Sequence, residues 1–221
     1  HDWGSSEPAY TAWAAISDGE EFQDQNGVTR WYRKGAIIIY REWNTCREDD
    51  TARGLELSNI ELAQTIVRKT TEITSNITVT DSLPFQTRGG ELMAETYARN
   101  GCPLTRGNTD RITGWKQLKD YIQGVDGFPM FLVCRCCQYL IEYIPTLQRH
   151  KSKMEDATDD GEATHSCDTA RLIVMTRPPI RQAKKDTGPI APINPELRMS
   201  SSPQQLLKQL KKKTHNDHTR R

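Results

Sequence analysis

Several features common in proteins are scarce or missing in this chain of 221 residues. It has no apolar run near the ~18 residues that a membrane span requires, and no apolar leader typical of a secretory signal. Its charge is nearly balanced, with 30 Lys and Arg against 29 Asp and Glu. We therefore expect a protein without membrane contact, and any nucleic-acid site must be a local basic patch or depend on bound metal.

The cysteines do not follow a secreted disulfide pattern. The chain has six of them, and Cys134, Cys136 and Cys137 are crowded together. Reduced thiols in a cytoplasm are the simpler interpretation. A zinc site completed by His150 is an alternative hypothesis. The spacing lacks the paired C-x-x-C of structural zinc sites, and free cysteine is common in protein cores.

Carboxylates give the clearest chemical signal. The acidic stretch 155–171 leads to Asp168, which is followed by the apolar residues 169–175, and these predict a short helix with a buried face. Asp2 and Asp81 each stand where a strand is expected to end. Three carboxylates converging from distant sites would suit a hard divalent cation, which prefers oxygen ligands.

The hydrophobic pattern predicts alternating strands and helices. Residues 9–16 and 31–43 have the character of buried strands, with an exposed acidic excursion at 17–30. Residues 58–74 predict a helix, and Ser58 and Glu61 have the spacing of a capping box at its start. Strand 77–80 follows and delivers Asp81. A strand, crossover helix and strand would place Asp81 at a carboxyl end, where open α/β sheets bind ligands.

The remaining elements are less distinct. We predict a helix from Gly89–Gly90 through Ala98, a helix over 115–123, a strand over 130–133 and a helix over 138–147. Cations near the middle of the chain could hold a DNA backbone by charge, although an ordinary basic surface fits equally well. These candidates are Arg88, Arg106, Arg111 and Lys116, with Lys119 nearby.

The composition changes after residue 178. Six prolines lie between residues 178 and 203, and a short amphipathic piece, 204–210, leads into Lys211, Lys212 and Lys213. We predict a folded domain over 1–178 and a Pro-rich, basic, mostly disordered tail over 179–221. The tail could bind DNA or dock on another protein, or it could be a solvated terminus.

Four segments in order carry a family resemblance: DWGSSEP at 2–8, TDSLPFQTRGGELMAE at 80–95, FLVCRCCQYLIEYIPTLQ at 131–148 and EDATDDGEATHSCDTARL at 155–172. Together they resemble the nuclease domain of a tailed-phage terminase large subunit, from residue 2 to about residue 178. The resemblance implies an α/β, ribonuclease-H-like fold with a mixed central sheet flanked by helices. It also implies metal-dependent DNA cleavage during genome packaging.

The resemblance assigns roles to individual residues. It implies that Asp2, Asp81 and Asp168 are catalytic and hold two Mg²⁺ or Mn²⁺ ions, with Asp2 bridging both. Asp156 or Asp160 is a possible additional acidic ligand. Two departures stand out: Thr164 occupies an often acidic position, which puts a further ligand in doubt, and Leu172 replaces an aromatic residue.

The same resemblance implies partners and a location. These are double-stranded DNA, the portal protein and the small terminase subunit, in the host cytoplasm. An ATPase domain would precede this chain in the same polypeptide, together with most of the strand that ends at Asp2. The chain itself contains no G-x-x-x-x-G-K-[ST] phosphate loop, so we expect no ATP hydrolysis from it.

Two other interpretations remain open at this point. The chain could be another ribonuclease-H-like nuclease, such as a resolvase or transposase core, which would use the same carboxylate chemistry. It could also be a non-catalytic module that docks on a portal or on DNA, with carboxylates that are merely structural.

Overall fold

The computed structural model describes residues 1–4, 7–23, 27–70, 77–86, 90–153, 155–158 and 163–180. All of these belong to the first of the chain's two units, His1–Gln182. The second unit, Ala183–Arg221, lies outside the described residues, and so does nearly all of the predicted tail 179–221. Among the described helices, none is both long and apolar enough to cross a membrane.

The described part of the chain has a mixed α/β fold, in which four strands come first and helices and strands alternate from α1 to α4. The elements are β1 Tyr10–Ile16, β2 Glu21–Gln23, β3 Thr29–Trp31, β4 Ile37–Asn44, α1 Asn59–Lys69, β5 Thr78–Thr80, α2 Met93–Arg99, β6 Leu104–Arg106, α3 Arg111–Gln123, β7 Phe131–Val133, α4 Gln138–Thr146 and α5 Ala163–Met175. A single turn of 3₁₀-helix, Leu83–Phe85, follows β5.

The main sheet has the strand order β1, β4, β7. β1 pairs antiparallel with β4, as the two apolar runs predict, and a bulge shifts the register between Trp13 and Ala14. β4 pairs in parallel with β7. Ile37 and Ile39 of β4 are fully buried while Ile38 is half-buried, because successive side chains of a strand point to opposite faces.

The prediction of one long strand over residues 31–43 is wrong. The chain instead ends β3 at Trp31 and begins β4 at Ile37, and Gly35 turns between them with a φ of 85°. A positive φ interrupts the extended backbone at little cost only for glycine. The expected acidic excursion contains a small hairpin formed by β2 and β3.

The predicted crossover is also different from what the structure contains. Strand β5 begins at Thr78, and its assigned partner is β6, which runs parallel to it in a separate two-stranded sheet. Strand β6 has no clear sequence signal, because its segment Leu104–Arg106 is too short and too polar for a clear alternation. Thr80 and Arg106 are opposite one another, so Asp81 and Arg106 lie at the same end of this sheet.

The helices agree with the sequence in type and differ at their ends. The capping box of α1 is confirmed, since the Ser58 amide donates to Glu61 at 2.8 Å and the Glu61 amide donates to Ser58 at 3.3 Å. α1 ends at Lys69 rather than Thr74. α4 is confirmed almost to the residue, with Pro145 in its last turn.

Three helices begin elsewhere than predicted. α2 begins at Met93, after the glycine pair, and Gly89 lies outside the described residues. α3 begins four residues early because Asp110 caps it, accepting a bond from the Thr113 amide at 3.2 Å. α5 begins at Ala163, so Asp168 lies in the middle of the helix and not before it.

Two hydrophobic clusters form the core on the two sides of the main sheet's central strands. The larger joins the main sheet to α3, α4 and α5, and its buried members include Ile37, Ile39, Leu118, Phe131, Leu140 and Val174. The smaller joins β1 to α1 and α2, and its buried members include Trp13, Leu62, Ile66 and Tyr97. α5 contacts β1, α3, α4 and β5, which makes it the central helix of the fold.

The capping box makes a simple stability prediction. Ser58→Ala leaves the Glu61 amide without its partner at the start of α1, and we expect the free energy of unfolding to fall by about 1 kcal/mol. Urea denaturation measures this loss. Glu61→Gln is the matched control because glutamine also completes a capping box, so an equal loss in both variants would contradict the assignment.

Candidate functional site

Asp168 is held within α5 by two arginines. Its Oδ1 accepts a bond from Nε of Arg171 at 2.8 Å, one helical turn away, and its Oδ2 lies 3.4 Å from a guanidinium nitrogen of Arg111. The carboxylate side chain is only 13% exposed. Burial raises the pKa of the Asp168 carboxyl above its usual range in spite of these two cations, and the charge of Asp2 raises it further.

Arg111 also binds a second carboxylate, that of Asp156. Nε of Arg111 donates to Oδ1 of Asp156 at 3.0 Å, and another nitrogen of the same guanidinium donates to the carbonyl of Ala157 at 3.3 Å. The indole N–H of Trp115 donates to the same oxygen of Asp156 at 3.0 Å. Burial opposes ionisation of Asp156, but these donors prevail and its pKa is lowered.

The ring of Trp115 lies against both arginines. The guanidinium carbon of Arg111 is 5.7 Å from the ring centroid and that of Arg171 is 5.5 Å away. Cation–π contacts of this kind add to the ion pairs and keep the guanidinium groups in place. We call Arg111, Trp115, Asp156, Asp168 and Arg171 the arginine–carboxylate network.

A glycine lets the Arg171 side chain cross α3. A Cβ atom added at Gly114 would lie 2.6 Å from Cγ of Arg171 and 2.9 Å from its Cδ. Only glycine leaves room there, because Arg171 is buried and its head is bound to Asp168. α3 and α5 therefore pack closely at this point.

Asp2 reaches the site from a different part of the chain. Its backbone exchanges hydrogen bonds with Tyr10 at 2.7 and 2.9 Å, while the backbone nitrogen of His1 donates to the carbonyl of Val79 at 2.9 Å. The first two residues thus contact β1 on one side and β5 on the other. The buried ring of His1 is fixed by Thr11 and Tyr97, at 2.9 and 3.2 Å.

His165 is the partner of Asp2. Nδ1 of His165 lies 2.6 Å from Oδ2 of Asp2, and Nε2 lies 3.4 Å from the carboxylate of Glu7. The hydrogen bond to Asp2 raises the pKa of His165, although burial opposes it. His165 is on α5 one turn before Asp168. The same helix therefore carries His165, which contacts Asp2, and Arg171, which contacts Asp168.

Asp81 follows β5 directly, and its Oδ1 accepts a bond from the Leu83 amide at 3.0 Å. Burial raises the pKa of Asp81, the Leu83 amide opposes the rise, and the charges of Asp2 and Asp168 add to it. Asp2, Asp81 and Asp168 therefore lie close enough to repel one another. Within the described ranges, however, no group of three or more His, Cys, Asp or Glu side chains is arranged to hold a metal ion.

Three buried polar atoms beside these carboxylates have no hydrogen-bond partner among the described residues. They are the hydroxyls of Thr80 and Thr169 and one terminal nitrogen of Arg171. Thr80 precedes Asp81, and Thr169 follows Asp168. Buried polar groups are nearly always paired, so these three unpaired atoms are uncommon.

The remaining predicted site residues have different surroundings. Arg106 is exposed at the end of β6, and Lys116 is exposed on α3. Arg111, a candidate for DNA contact, belongs to the arginine–carboxylate network instead of a free surface. Arg88 and Asp160 lie outside the described residues.

The cysteines do not assemble a metal site in the described structure. Sγ of Cys136 is 3.9 Å from Sγ of Cys137, at the turn between β7 and α4, and the described residues contain no metal-binding group that includes them. Cys167 is fully buried, and burial raises its pKa to about 12. A protonated, buried thiol does not suit a nucleophile.

Sequence reasoning missed three members of the site. Arg171 is detectable in principle, since it follows Asp168 by three residues and a helix places such residues side by side. His165 binds Asp2 across 163 positions, and no local pattern predicts that contact. Trp115 carries no sequence signal for its contact with Asp156. We find no match for the chain among protein-family models, curated proteins or solved structures.

The ion pair of Asp156 predicts a pH-dependent stability. Asp156→Asn weakens the binding of the half-buried Arg111 guanidinium, and we expect it to lower the free energy of unfolding at pH 7 by about 1–3 kcal/mol. The folded-state pKa of Asp156 is lowered, so its contribution is present above the unfolded-state value of about 3.9 and is lost as the pH falls through the folded-state value.

Urea denaturation between pH 3 and pH 7 measures this effect. The difference between wild type and Asp156→Asn should be constant near neutrality and shrink below about pH 4. Glu155→Gln changes the adjacent exposed carboxylate and serves as the control, with little effect expected at any pH. A difference that stays constant down to pH 3 would contradict the assignment.

The close packing of α3 against α5 makes a separate prediction. Gly114→Ala should destabilise the fold by about 1 kcal/mol, because overpacking costs roughly 1–3 kcal/mol and exceeds the roughly 1 kcal/mol that alanine gains in a helix. Thermal and urea unfolding measure the change. Gly90→Ala is the control, since no described heavy atom lies within 4 Å of an added Cβ there.

Proposed function

We propose that this chain is a metal-dependent DNA endonuclease, the nuclease domain of a phage terminase large subunit, which cuts concatemeric viral DNA during packaging. One observation carries the proposal. Asp2, Asp81 and Asp168 come from three distant parts of the chain, and the charge of Asp2 raises the pKa of both other carboxyls. Half-buried carboxylates that repel one another in this way are more typical of functional sites than of structural ones.

The arrangement of strands supports a ribonuclease-H-like fold as part of this proposal. His1 and Asp2 make backbone contacts with β5 and with β1, so the two sheets adjoin at the start of the chain. Parallel and antiparallel neighbours both occur, and helices pack on the sheet. A mixed central sheet flanked by helices is what the family resemblance implies.

The donor set suits a hard divalent cation in its chemistry. Asp2, Asp81 and Asp168 would hold Mg²⁺ or Mn²⁺ through carboxylate oxygens, and Asp156 is engaged elsewhere by Arg111 and Trp115. Two such ions, when bound, supply an activated water and stabilise the leaving 3′ oxygen. The described side chains do not form a complete ligand set for a metal ion. A bound cation would reduce the electrostatic repulsion among the three carboxylates.

The chain's own residues prepare this site by fixing its carboxylates. Arg171 and Arg111 hold the two oxygens of Asp168, so the carboxylate has one orientation on α5. His165 holds Asp2 in the same way. The Leu83 amide, at the start of a tight turn, holds Asp81. Fixed orientation lowers the cost of bringing reacting groups together.

The partners follow from the same proposal. Arg106 stands at the same end of its sheet as Asp81, where it could contact a phosphate of double-stranded DNA. An ATPase domain of the same polypeptide, the portal protein and the small terminase subunit would be the protein partners, and the host cytoplasm the location.

A second candidate function has a specific observation in its favour. Asp168 is paired with two arginines and Asp2 with a histidine, as expected of carboxylates that only stabilise a fold. A non-catalytic module that docks on a portal or on DNA would need no more than this. Such a module would keep its function when Asp81 is changed to asparagine.

Nicking of supercoiled plasmid separates the two candidates. With Mn²⁺ or Mg²⁺ we expect nicked product that EDTA abolishes. Asp168→Asn and Asp81→Asn should each reduce the rate at least about a hundredfold, because metal-ion catalysis is worth several kcal/mol. Asp81→Asn is informative even if Asp168→Asn unfolds, since Asp81 does not support Arg111 or Arg171.

Asp126→Asn is the matched control for these variants. Asp126 follows the C-terminal end of α3, whereas Arg111 is at the N-terminal end. Asparagine tolerates the positive φ of 52° at position 126. The control should nick like wild type. If folded wild type and both variants fail alike to nick with either metal, the nuclease proposal is wrong and the docking module is favoured.

A further inference from the structure

An open groove of about 910 Å³ runs along α3, beside the arginine–carboxylate network. One wall is α3 itself, and the other is the end of α4 together with the segment after it. That second wall is held by backbone bonds, from the amide of Thr158 to Gln148 at 2.9 Å and from the amide of His150 to Asp156 at 2.8 Å. We call this feature the α3–α4 groove.

The floor of the groove is apolar and open to solvent. Ile112 and Ile122 of α3 line it and are 47% and 41% exposed, and Leu147 lines it from the other wall. Large exposed apolar side chains that line one concave surface are more typical of an interaction site than of ordinary surface. The groove is therefore a candidate for binding a partner.

The rims of the groove are basic. Lys116 and Lys119 stand on α3 three positions apart, on one face of the helix, and Arg149 stands on the opposite wall. The acidic lining residues are Glu155 and Asp156, and the charge of Asp156 is already balanced by Arg111 at 3.0 Å. The groove therefore has three cations, one carboxylate without a cation assigned to it among the described residues, and an apolar floor. This combination suits a ligand that is an anionic chain with apolar groups between its charges.

We propose that the α3–α4 groove binds a single strand of nucleic acid. A single strand exposes the faces of its bases, which can cover the apolar floor, while its phosphates reach the lysines and Arg149 on the rims. A duplex keeps its base faces stacked inside and offers mainly phosphates and sugars. It would therefore leave Ile112 and Ile122 uncovered.

The groove adjoins the arginine–carboxylate network. At the end near the start of α3, its lining residues Trp115 and Asp156 are members of the arginine–carboxylate network, and Arg111 joins Asp156 to Asp168. A strand in the groove would therefore have one end beside Asp156, which Arg111 links to Asp168. This inference rests on the proposed nuclease function, because it assigns one strand of the DNA to the surface next to that site.

Fluorescence anisotropy in EDTA tests the inference without any cleavage. The probes are a labelled oligothymidylate and a labelled duplex of the same length, titrated with the full chain at several salt concentrations. We expect the single strand to bind more tightly than the duplex. The basic segment at residues 211–213 is present in every variant, so its contribution cancels when each variant is compared with wild type on the same probe.

Two groove variants probe the rims and the floor separately. Lys116→Ala with Lys119→Ala should weaken single-strand binding about tenfold and reduce the slope of log affinity against log salt by about 1.4, which is about 0.7 for each lost phosphate contact. Ile122→Asp should weaken binding of the single strand more than that of the duplex. Both sites are exposed, so both variants should fold, which circular dichroism checks.

Arg68→Ala with Lys69→Ala is the matched control, since it removes two exposed cations from the last turn of α1. It should bind like wild type. The inference is overturned if the duplex binds as tightly as the single strand, or if the groove variants behave like the control. Because binding is measured without metal, the groove inference can fail while nicking persists, and nicking can fail while the groove still binds.

Discussion

One guanidinium group, that of Arg111, joins the parts of this structure that carry its chemistry. It binds Asp156 and the Ala157 carbonyl in the segment after α4, and it binds Asp168 in the middle of α5. Arg111 itself is the first residue of α3. Removing it would leave Asp156 without a cation and Asp168 with Arg171 alone, and unpaired buried charge is among the most destabilising changes a fold can undergo.

The packing around this group depends on a small residue. Gly114 lies one turn after Arg111, and its missing side chain leaves the space through which Arg171 passes to reach Asp168. The ring of Trp115 then contacts both guanidinium groups. Close packing at Gly114 therefore adds to the ion pairs between α3 and α5. Together they fix α5 at the turn that carries Asp168.

The carboxylates respond to this environment in opposite directions. Asp156 receives bonds from Arg111, Trp115 and its neighbouring amide, and its pKa is lowered. Burial and mutual repulsion raise the pKa of Asp81 and of Asp168. The ion pair of Asp156 therefore lies next to carboxylates that repel one another. Arg111 belongs to both groups, because it binds Asp156 and Asp168. This contrast distinguishes Asp156, as a fixed partner of Arg111, from Asp81 and Asp168, which we propose as metal ligands.

The sequence by itself determined the local elements and the residue types of the site. Short-range patterns were sufficient to predict these elements, because each depends on neighbours a few positions away. They are the capping box of Ser58 and Glu61, the apolar runs of β1 and β4, and the apolar helix around Asp168. Only the tertiary structure decided that β5 pairs with β6, that His165 binds Asp2, and that Arg111 faces inward to Asp156 and Asp168. These contacts join residues from 26 to 163 positions apart, and periodicity carries no information about which distant side chains meet when the chain packs.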